Sequence, residues 1–505
     1  MNGEVLPFGP GGLAVIGGYL LSLLGVGWLG LRARQENSLR DFYLGGRGIG
    51  LVVLLLTLYA TQYSGNTLFG FTGKTYRVGY AWVMSLHFMT AIIVFYLLFA
   101  PKLHALARSK GFITPTDYLH ERFGSKLIDL VATVLMIVAI SNYLLAQLMA
   151  MGRAMEGLTT LEPSVAYIWG VVILALIIVV YETLGGFRAV VWTDVIQGGV
   201  LMVGFAVLLL LVLQKFGSLE AATGKLLAAG PDEASKVLPP DPNQCRQWIS
   251  YILAVGIGGA LYPQAIQRIY AARSGATLRR SLAVMAFLPL TTTLVALIVG
   301  VMAAAHIPGL EGAGSDRILM VVCRQVQQGS VFGYWLVVVL FAAVLAAMMS
   351  TADSVLLSIS SMLTKDLYAR FIHPGATEIR LTRLGKIFSW LLIVILGALA
   401  INLREETTLI RLLDRKFDLL VQLAPAFMIG IHWSKLRAAP TLAGMLVGIG
   451  IAVALAWFYR DQGGKIAGIH PGLFGLAANV VIATVGSVFP ARTSPGGPAQ
   501  TRSER

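Results

Sequence analysis

Ser350 and Thr351 follow the apolar run Ala346-Ala347-Met348-Met349 and precede Ala352-Asp353-Ser354. Neighbouring residues on a helix point about 100° apart, and Ala347 lies one turn back from both. Two hydroxyls and the Ala347 carbonyl therefore offer three neutral oxygens to one ion, and hard cations such as sodium take oxygen ligands. The competing reading is structural, because Ser and Thr in membrane helices often donate to the carbonyl four residues earlier. Asp353 weighs against it: an acidic residue inside an apolar span marks a functional site by default. Asp194, in Trp192-Thr193-Asp194, is a second carboxylate on a candidate ion path, with N-capping of a helix as its alternative.

An ion held by neutral oxygens needs more of them than one helix supplies. The stretch Thr61-Gln62-Tyr63-Ser64-Gly65-Asn66-Thr67 is polar in six of seven places and is followed by Gly70 and Gly73. In a membrane such a stretch is costly unless it faces a cavity. Carbonyls released by a break there, at Ala60 and Tyr63, complete the shell for sodium, and the C-terminal end of the half-helix before the break carries partial negative charge. A second breaking segment runs from Gly256-Ile257-Gly258-Gly259 to Tyr262-Pro263-Gln264. Close packing through small residues is the alternative for the glycines, but it does not explain the Gln62 and Asn66 amides. Two interrupted helices five spans apart fit an inverted five-plus-five repeat with a solute site at the breaks.

The solute-facing candidates are Gln62, Ser64 and Asn66 on the first broken helix, His87 on the next, Tyr143 and Gln147 on the fourth span, and Tyr262 and Gln264 on the second broken helix. They are mostly neutral donors and acceptors, with hydrogen bonding between helices as the alternative role. No Lys or Arg is expected at mid-membrane depth, which disfavours a multiply charged anion. A single carboxylate can still use the N-terminus of a half-helix.

The elements that must hold these residues are membrane helices. The 505 residues are 56% hydrophobic and 13% charged, against about 25% charged in a soluble domain. About thirteen apolar runs approach the roughly 20 residues a span needs. Outer-membrane strands would alternate in polarity over about 10 residues, and stretches such as Ala206 to Leu213 do not. The expected fold is an all-α membrane protein.

The net charge of +14 then sets orientation in the bilayer and does not point to nucleic acid. An outside N-terminus places Arg32 to Arg47, Lys102 to Lys126, Arg188, Arg268 to Arg280, Lys365 to Lys386, Lys435, Arg437 and the tail inside, the larger part of the 39 Lys and Arg. Contrary charge remains in the loop 215–246 and around Arg404 to Lys416; long loops cross largely regardless of charge. The first span is not preceded by basic residues and reads as an anchor, not a signal peptide. Cys245 and Cys323 form neither a disulfide framework nor a metal site, leaving one bridge or two free thiols. The Pro-, Gly-, Ser- and Arg-rich tail 491–505 is expected to be disordered.

Taken in order, Asp41-Phe42-Tyr43-Leu44-Gly45-Gly46-Arg47, Gly185-Gly186-Phe187-Arg188-Ala189-Val190-Val191-Trp192-Thr193-Asp194, Pro263-Gln264-Ala265-Ile266-Gln267-Arg268, the Ser350 to Ser354 stretch and Lys365-Asp366-Leu367-Tyr368 resemble the sodium/solute symporter family of proline, pantothenate and sugar carriers. The resemblance covers nearly all the spans. It implies an extra helix and inner loop in 1–49, inverted repeats in 50–214 and 247–436 joined by the external loop 215–246, and two further helices in 437–490. It also implies sodium held by the carbonyls of Ala60, Tyr63 and Ala347 and the hydroxyls of Ser350 and Thr351, with Asp194 on the sodium path to the cytoplasm. The chain departs from proline carriers, which have an aspartate at the position of Gln62, and from sugar carriers, which have Ala-Glu-Gln at Gly65-Asn66-Thr67. The Ile469-His470-Pro471 region and the Pro425 helix resemble the pantothenate carriers.

The expected function is sodium-coupled symport of an amino-acid-like, monocarboxylate or vitamin-like solute across the plasma (inner) membrane, with sodium, the solute and the lipid bilayer as partners and no organic cofactor. Proton coupling through Asp353 or Asp194 is the first alternative. A solute-sensing receptor is another, although the short tail leaves no room for a signalling domain. A channel would show continuous polar stripes, and an enzyme would need a nucleophile, base and orienter that are missing. One sodium moving inward across 100 mV releases about 2.3 kcal/mol, and a tenfold gradient adds about 1.4 kcal/mol. Together they sustain roughly 500-fold accumulation of a neutral solute.

Overall fold

A computed structural model describes residues 8–36, 38–156, 161–327, 331–404, 409–460 and 464–489. The tail expected to be disordered lies outside these residues. Among them the chain is helical throughout, with only isolated bridges in place of strands.

Helix α1 (Pro10–Arg32) and the short α2 (Leu39–Leu44) precede the first broken helix, α3 (Leu51–Gln62) and α4 (Phe71–Val78). Next come α5 (Met84–Lys110), α6 (Thr116–Phe123), α7 (Lys126–Glu156) and the 54-residue α8 (Pro163–Phe216). The stretch expected as an external loop holds α9 (Leu219–Ala228) and α10 (Pro231–Ser235). The second broken helix is α11 (Pro242–Ala260) with α12 (Pro263–Ala271), followed by α13 (Gly275–Met285), α14 (Pro289–His306), α15 (Ile318–Gln327) and α16 (Val331–Ser361). The chain closes with α17 (Glu378–Asn402), α18 (Leu409–Leu420), α19 (Ala438–Phe458) and α20 (Pro471–Val488).

Both interruptions have local causes. After Gln62 the backbone of Tyr63 turns to φ −100°, ψ 102°, and the helix resumes through a π-helical turn at Asn66–Gly70. The Thr61–Thr67 side chains compete for backbone groups, which weakens the ladder here. At the second interruption α11 and α12 meet at 51°. Pro263 opens α12; it has no N–H and suits a first turn, not a helix interior.

Helix α8 bends at Gly186, whose φ 58°, ψ −147° is accessible to glycine. A side chain there would also put its Cβ 2.6 Å from the Phe42 carbonyl oxygen. The bend lets α2 dock. The Arg188 guanidinium grips Asp41 with two bonds of 2.7 and 2.9 Å, tying the Asp41–Arg47 motif to α8. This bidentate pairing is the geometry that favours Arg over Lys.

Nine helices of the described residues are long and apolar enough to span a bilayer, or ten with the bent pair α11–α12. The expected thirteen differ in identifiable places. The runs at 165–181 and 189–214 share α8 across its kink, the half-helix α3 is too short alone, and the run at 417–433 is broken by 3₁₀ and π-helical turns around Pro425. Helix α16 packs along α8, α3 and α7, and its residues from Leu340 to Ser361 are buried. It is the axis on which the site is built.

Candidate functional site

Thr351 lies in the buried second half of α16, and the break after α3 meets the helix there. The Ser350 hydroxyl donates to the Ala60 carbonyl at 2.9 Å, and the Thr351 hydroxyl lies 3.4 Å from the same oxygen and 3.2 Å from the Ala347 carbonyl. Thr351 thus keeps the bond to its own helix that the structural reading expects, whereas Ser350 reaches across to the other helix. Tyr63 caps α3, its N–H bonded to Tyr59 at 3.0 Å, so its carbonyl lies beyond the last helical turn. Gly65 sits so close to α16 that a Cβ there would be 2.5 Å from Met348 Cγ. Its N–H donates to Gln147 Oε1 at 3.2 Å. The four residues Ala60, Ala347, Ser350 and Thr351 form one buried group of neutral oxygens at the negative end of a half-helix, a donor set that fits sodium.

A second buried group lies along α16 towards Asp353. Arg268 is 1% exposed and pairs with Asp194 at 2.7 Å, while also donating to the hydroxyls of Thr57 and Ser354. Thr57 donates to Asp194 as well. Asp353 accepts from the Tyr181 hydroxyl and from Ser354 at 3.1 Å. Asp194 therefore does not cap a helix: it stands two turns past the Gly186 kink, inside α8. Arg268, grouped by sequence with the inner loop, is part of the core. Pairing across 74 residues of chain leaves no local signature, although the (i, i+4) placement of Gln264 and Arg268 on α12 was a hint that both face inward.

The solute candidates divide. Gln62 donates to the Tyr96 hydroxyl at 2.9 Å, which in turn donates to the Gly259 carbonyl at 3.1 Å, so one chain of bonds joins the two broken helices. Tyr143 stacks on Tyr262 with centroids 5.6 Å apart, and its hydroxyl faces those of Ser64 and Thr351. Both amide atoms of Gln264 and Nε2 of Gln147 are buried without hydrogen-bond partners. The side chain of Asn66 lies outside the described residues. His87 is a correction. It is exposed on α5, its ring 5.0 Å from that of Trp248 and tilted 55° to it, in an apolar groove with Val94, Phe95 and Leu290.

The expected absence of a central cation is also corrected. Lys416 on α18 is fully buried, with its Nζ 2.9 Å from the Tyr143 ring centroid and 4.8 Å from that of Tyr262. The sequence placed it in the charged stretch around Arg404 to Lys416. Cys245 is exposed and Cys323 buried, and both are free thiols.

Residues 42–448 match the model of the sodium:solute symporter family. The sodium/pantothenate symporter of Haemophilus influenzae is 27% identical over 462 residues, covering 89% of this chain and 91% of the relative. The monocarboxylate transport permease of Rhizobium johnstonii is 23% identical over 497 residues, covering 95% and 97%. A sodium-coupled sialic acid symporter, solved substrate-bound and outward-open, superposes with a TM-score of 0.77 at 20% identity over 95% of this chain and 98% of its own; that likeness is one of fold. The family match over most of the chain, with two broken helices crossing a buried central helix, makes this a multi-pass membrane transporter, and the chain belongs to the sodium:solute symporter family.

Proposed function

We propose that sodium binds among the carbonyls of Ala60, Tyr63 and Ala347 and the hydroxyls of Ser350 and Thr351, and that this binding drives inward symport of a small organic solute. The observation that carries the reading is the contact of the Ser350 and Thr351 hydroxyls with the Ala60 carbonyl at the break in the first broken helix. Sodium there pins the half-helix to α16 and favours the arrangement that receives solute, because a ligand shifts an equilibrium only by its differential affinity for the two states. Solute is held next to it by Gln62, Ser64, Tyr143, Gln147, Tyr262 and Gln264. Asp194 and Asp353 line the inward path. The repeats 50–214 and 247–436 rock against one another, with the N-terminus outside and the C-terminus in the cytoplasm of a cell bounded by its plasma membrane. Relatives named for pantothenate, proline and monocarboxylates support an amino-acid-like, monocarboxylate or vitamin-like solute.

Uptake into proteoliposomes tests the reading. An inward sodium gradient should drive accumulation, and replacing sodium by choline should abolish it. Proton coupling is the second reading, favoured by two buried carboxylates, Asp194 paired with Arg268 and Asp353 linked to the same guanidinium through the Ser354 hydroxyl. Accumulation driven by a pH gradient without sodium would select it.

A further inference from the structure

Lys416 is a buried ammonium whose charge is met by no hydrogen bond or ion pair among the described residues. It is fully buried, and Nζ has no hydrogen-bond partner among the described residues. Its surroundings are rings: Tyr143, Tyr262 and Phe417, with Nζ 2.9, 4.8 and 5.0 Å from their centroids. Attraction to ring faces is worth about 0.5–2 kcal/mol, while removing an ion from water costs several kcal/mol. The rings alone do not balance that cost.

The nearest carboxylates in sequence are already taken. Asp414 pairs with Lys465 at 2.8 Å and accepts from the Tyr251 hydroxyl, with His470 at 3.5 Å. Asp418 accepts the Gly472 N–H at 2.8 Å and pairs with Arg415 at 3.6 Å. The core carboxylates Asp194 and Asp353 are held by Arg268, Thr57, Tyr181 and Ser354. Among the described residues these four carboxylates are thus engaged with other groups.

Lys416 nevertheless stands beside two of the residues proposed above to hold solute, Tyr143 and Tyr262. Tyr262 occupies the break between α11 and α12, and Tyr143 faces the sodium group through Thr351. One turn from Tyr143 is Gln147, and two residues from Tyr262 is Gln264, each with buried amide atoms lacking partners. A cation without a partner among the described residues, aromatic walls and free amides together describe a site for an anion with an apolar or amide-bearing body.

We propose that the transported solute is a small organic carboxylate, and that Lys416 is its counter-ion, with Tyr143 and Tyr262 packing on its body and Gln147 and Gln264 bonding its polar groups. This rests on the symport reading given above. It disfavours sugars and amines, and it explains how a lysine is kept in the core: the solute supplies the missing charge in the bound state.

Thermal unfolding of the purified protein in sodium tests it, with matched acids and uncharged counterparts as probes: lactate and lactamide, pantothenate and panthenol. At least one acid should raise the melting temperature, with its uncharged counterpart at least tenfold weaker. In Lys416→Met the preference for acid over counterpart should vanish, and Lys416→Arg should retain part of it. The shift caused by sodium alone, recorded on every variant without solute, reports folding and the sodium site separately. Loss of that shift in the unmodified protein would defeat the symport reading itself. With the sodium shift intact, equal response to acid and counterpart, no response to any acid, or an undiminished preference in Lys416→Met would overturn the proposal.

Discussion

The Ser350 hydroxyl donates to the Ala60 carbonyl across 290 residues of chain, at 2.9 Å. Its value lies in what Ala60 is: a residue near the end of a half-helix, whose carbonyl is free to bond outside its own helix. The contact requires the break to lie flat on α16, and Gly65 permits that. Gly65→Ala places a Cβ 2.5 Å from Met348 Cγ and should separate the two helices, since overpacking a tight interface costs about 1–3 kcal/mol. The half-saturating sodium concentration should rise, and adding Met348→Ala should restore part of the affinity. Sodium titration of uptake checks both variants.

Arg268 neutralises a core that holds two carboxylates. Arg268→Met leaves Asp194 and Asp353 without a cation, and removing one partner of a buried pair costs about 3–5 kcal/mol. The variant should unfold at a clearly lower temperature. Arg268→Met combined with Asp194→Asn should recover part of the loss, because the remaining polar group no longer carries charge. Non-recovery would show that Arg268 is held chiefly by Thr57 and Ser354.

Gly186→Ala should destabilise by at least about 1–3 kcal/mol, the cost of forcing a side chain into a glycine-only backbone region. The Phe42 carbonyl adds a clash. Gly17→Ala and Gly18→Ala, on α1 with nothing within 4 Å of the new Cβ, are the controls and should change the melting temperature little. Thermal unfolding in one detergent compares the three.

Asp117, on the short helix α6 between spans, anchors the end of the α16 segment. Burial works to raise its carboxyl, but the Lys365 ammonium and the Ile113 and Thr114 N–H groups hold it below the usual carboxylate range. Arg370 adds a contact at 3.3 Å and reaches on to Asp129, itself bonded to His120, and to Asp366. A folded value below the unfolded one means the stabilisation is complete above the ordinary aspartate value of about 3.9 and is lost as pH falls through the folded value. The melting temperature should therefore drop at acid pH in the unmodified protein and less steeply in Asp117→Asn. That variant should start lower by roughly 1–3 kcal/mol, the loss of bonds to a charged acceptor.

Much of this arrangement was legible in the residues. A polar stretch in an apolar run marks a break wherever it occurs, so Thr61–Thr67 and Gly256–Gln264 announced both broken helices, and the Ser350-Thr351 pair announced the oxygen group. Those signals are local. The remainder depended on partners distant in sequence: Arg268 reads as a loop cation until Asp194 is beside it, and Lys416 reads as part of a charged segment until the rings of Tyr143 and Tyr262 enclose it. His87 failed for a related reason, since position on a helix does not say which face meets the site and which meets Trp248. The span count differed because length rules treat a broken helix as two short ones and a kinked helix as one.

Sodium titration of solute uptake in proteoliposomes, run on the unmodified protein, Ser350→Ala and Thr351→Ala, tests the central claim most directly. Loss of one oxygen ligand to a cation costs about 1.5 kcal/mol, so each variant should need roughly tenfold more sodium for half-maximal uptake. Unchanged sodium dependence in both variants, with transport intact, would contradict the proposed sodium site.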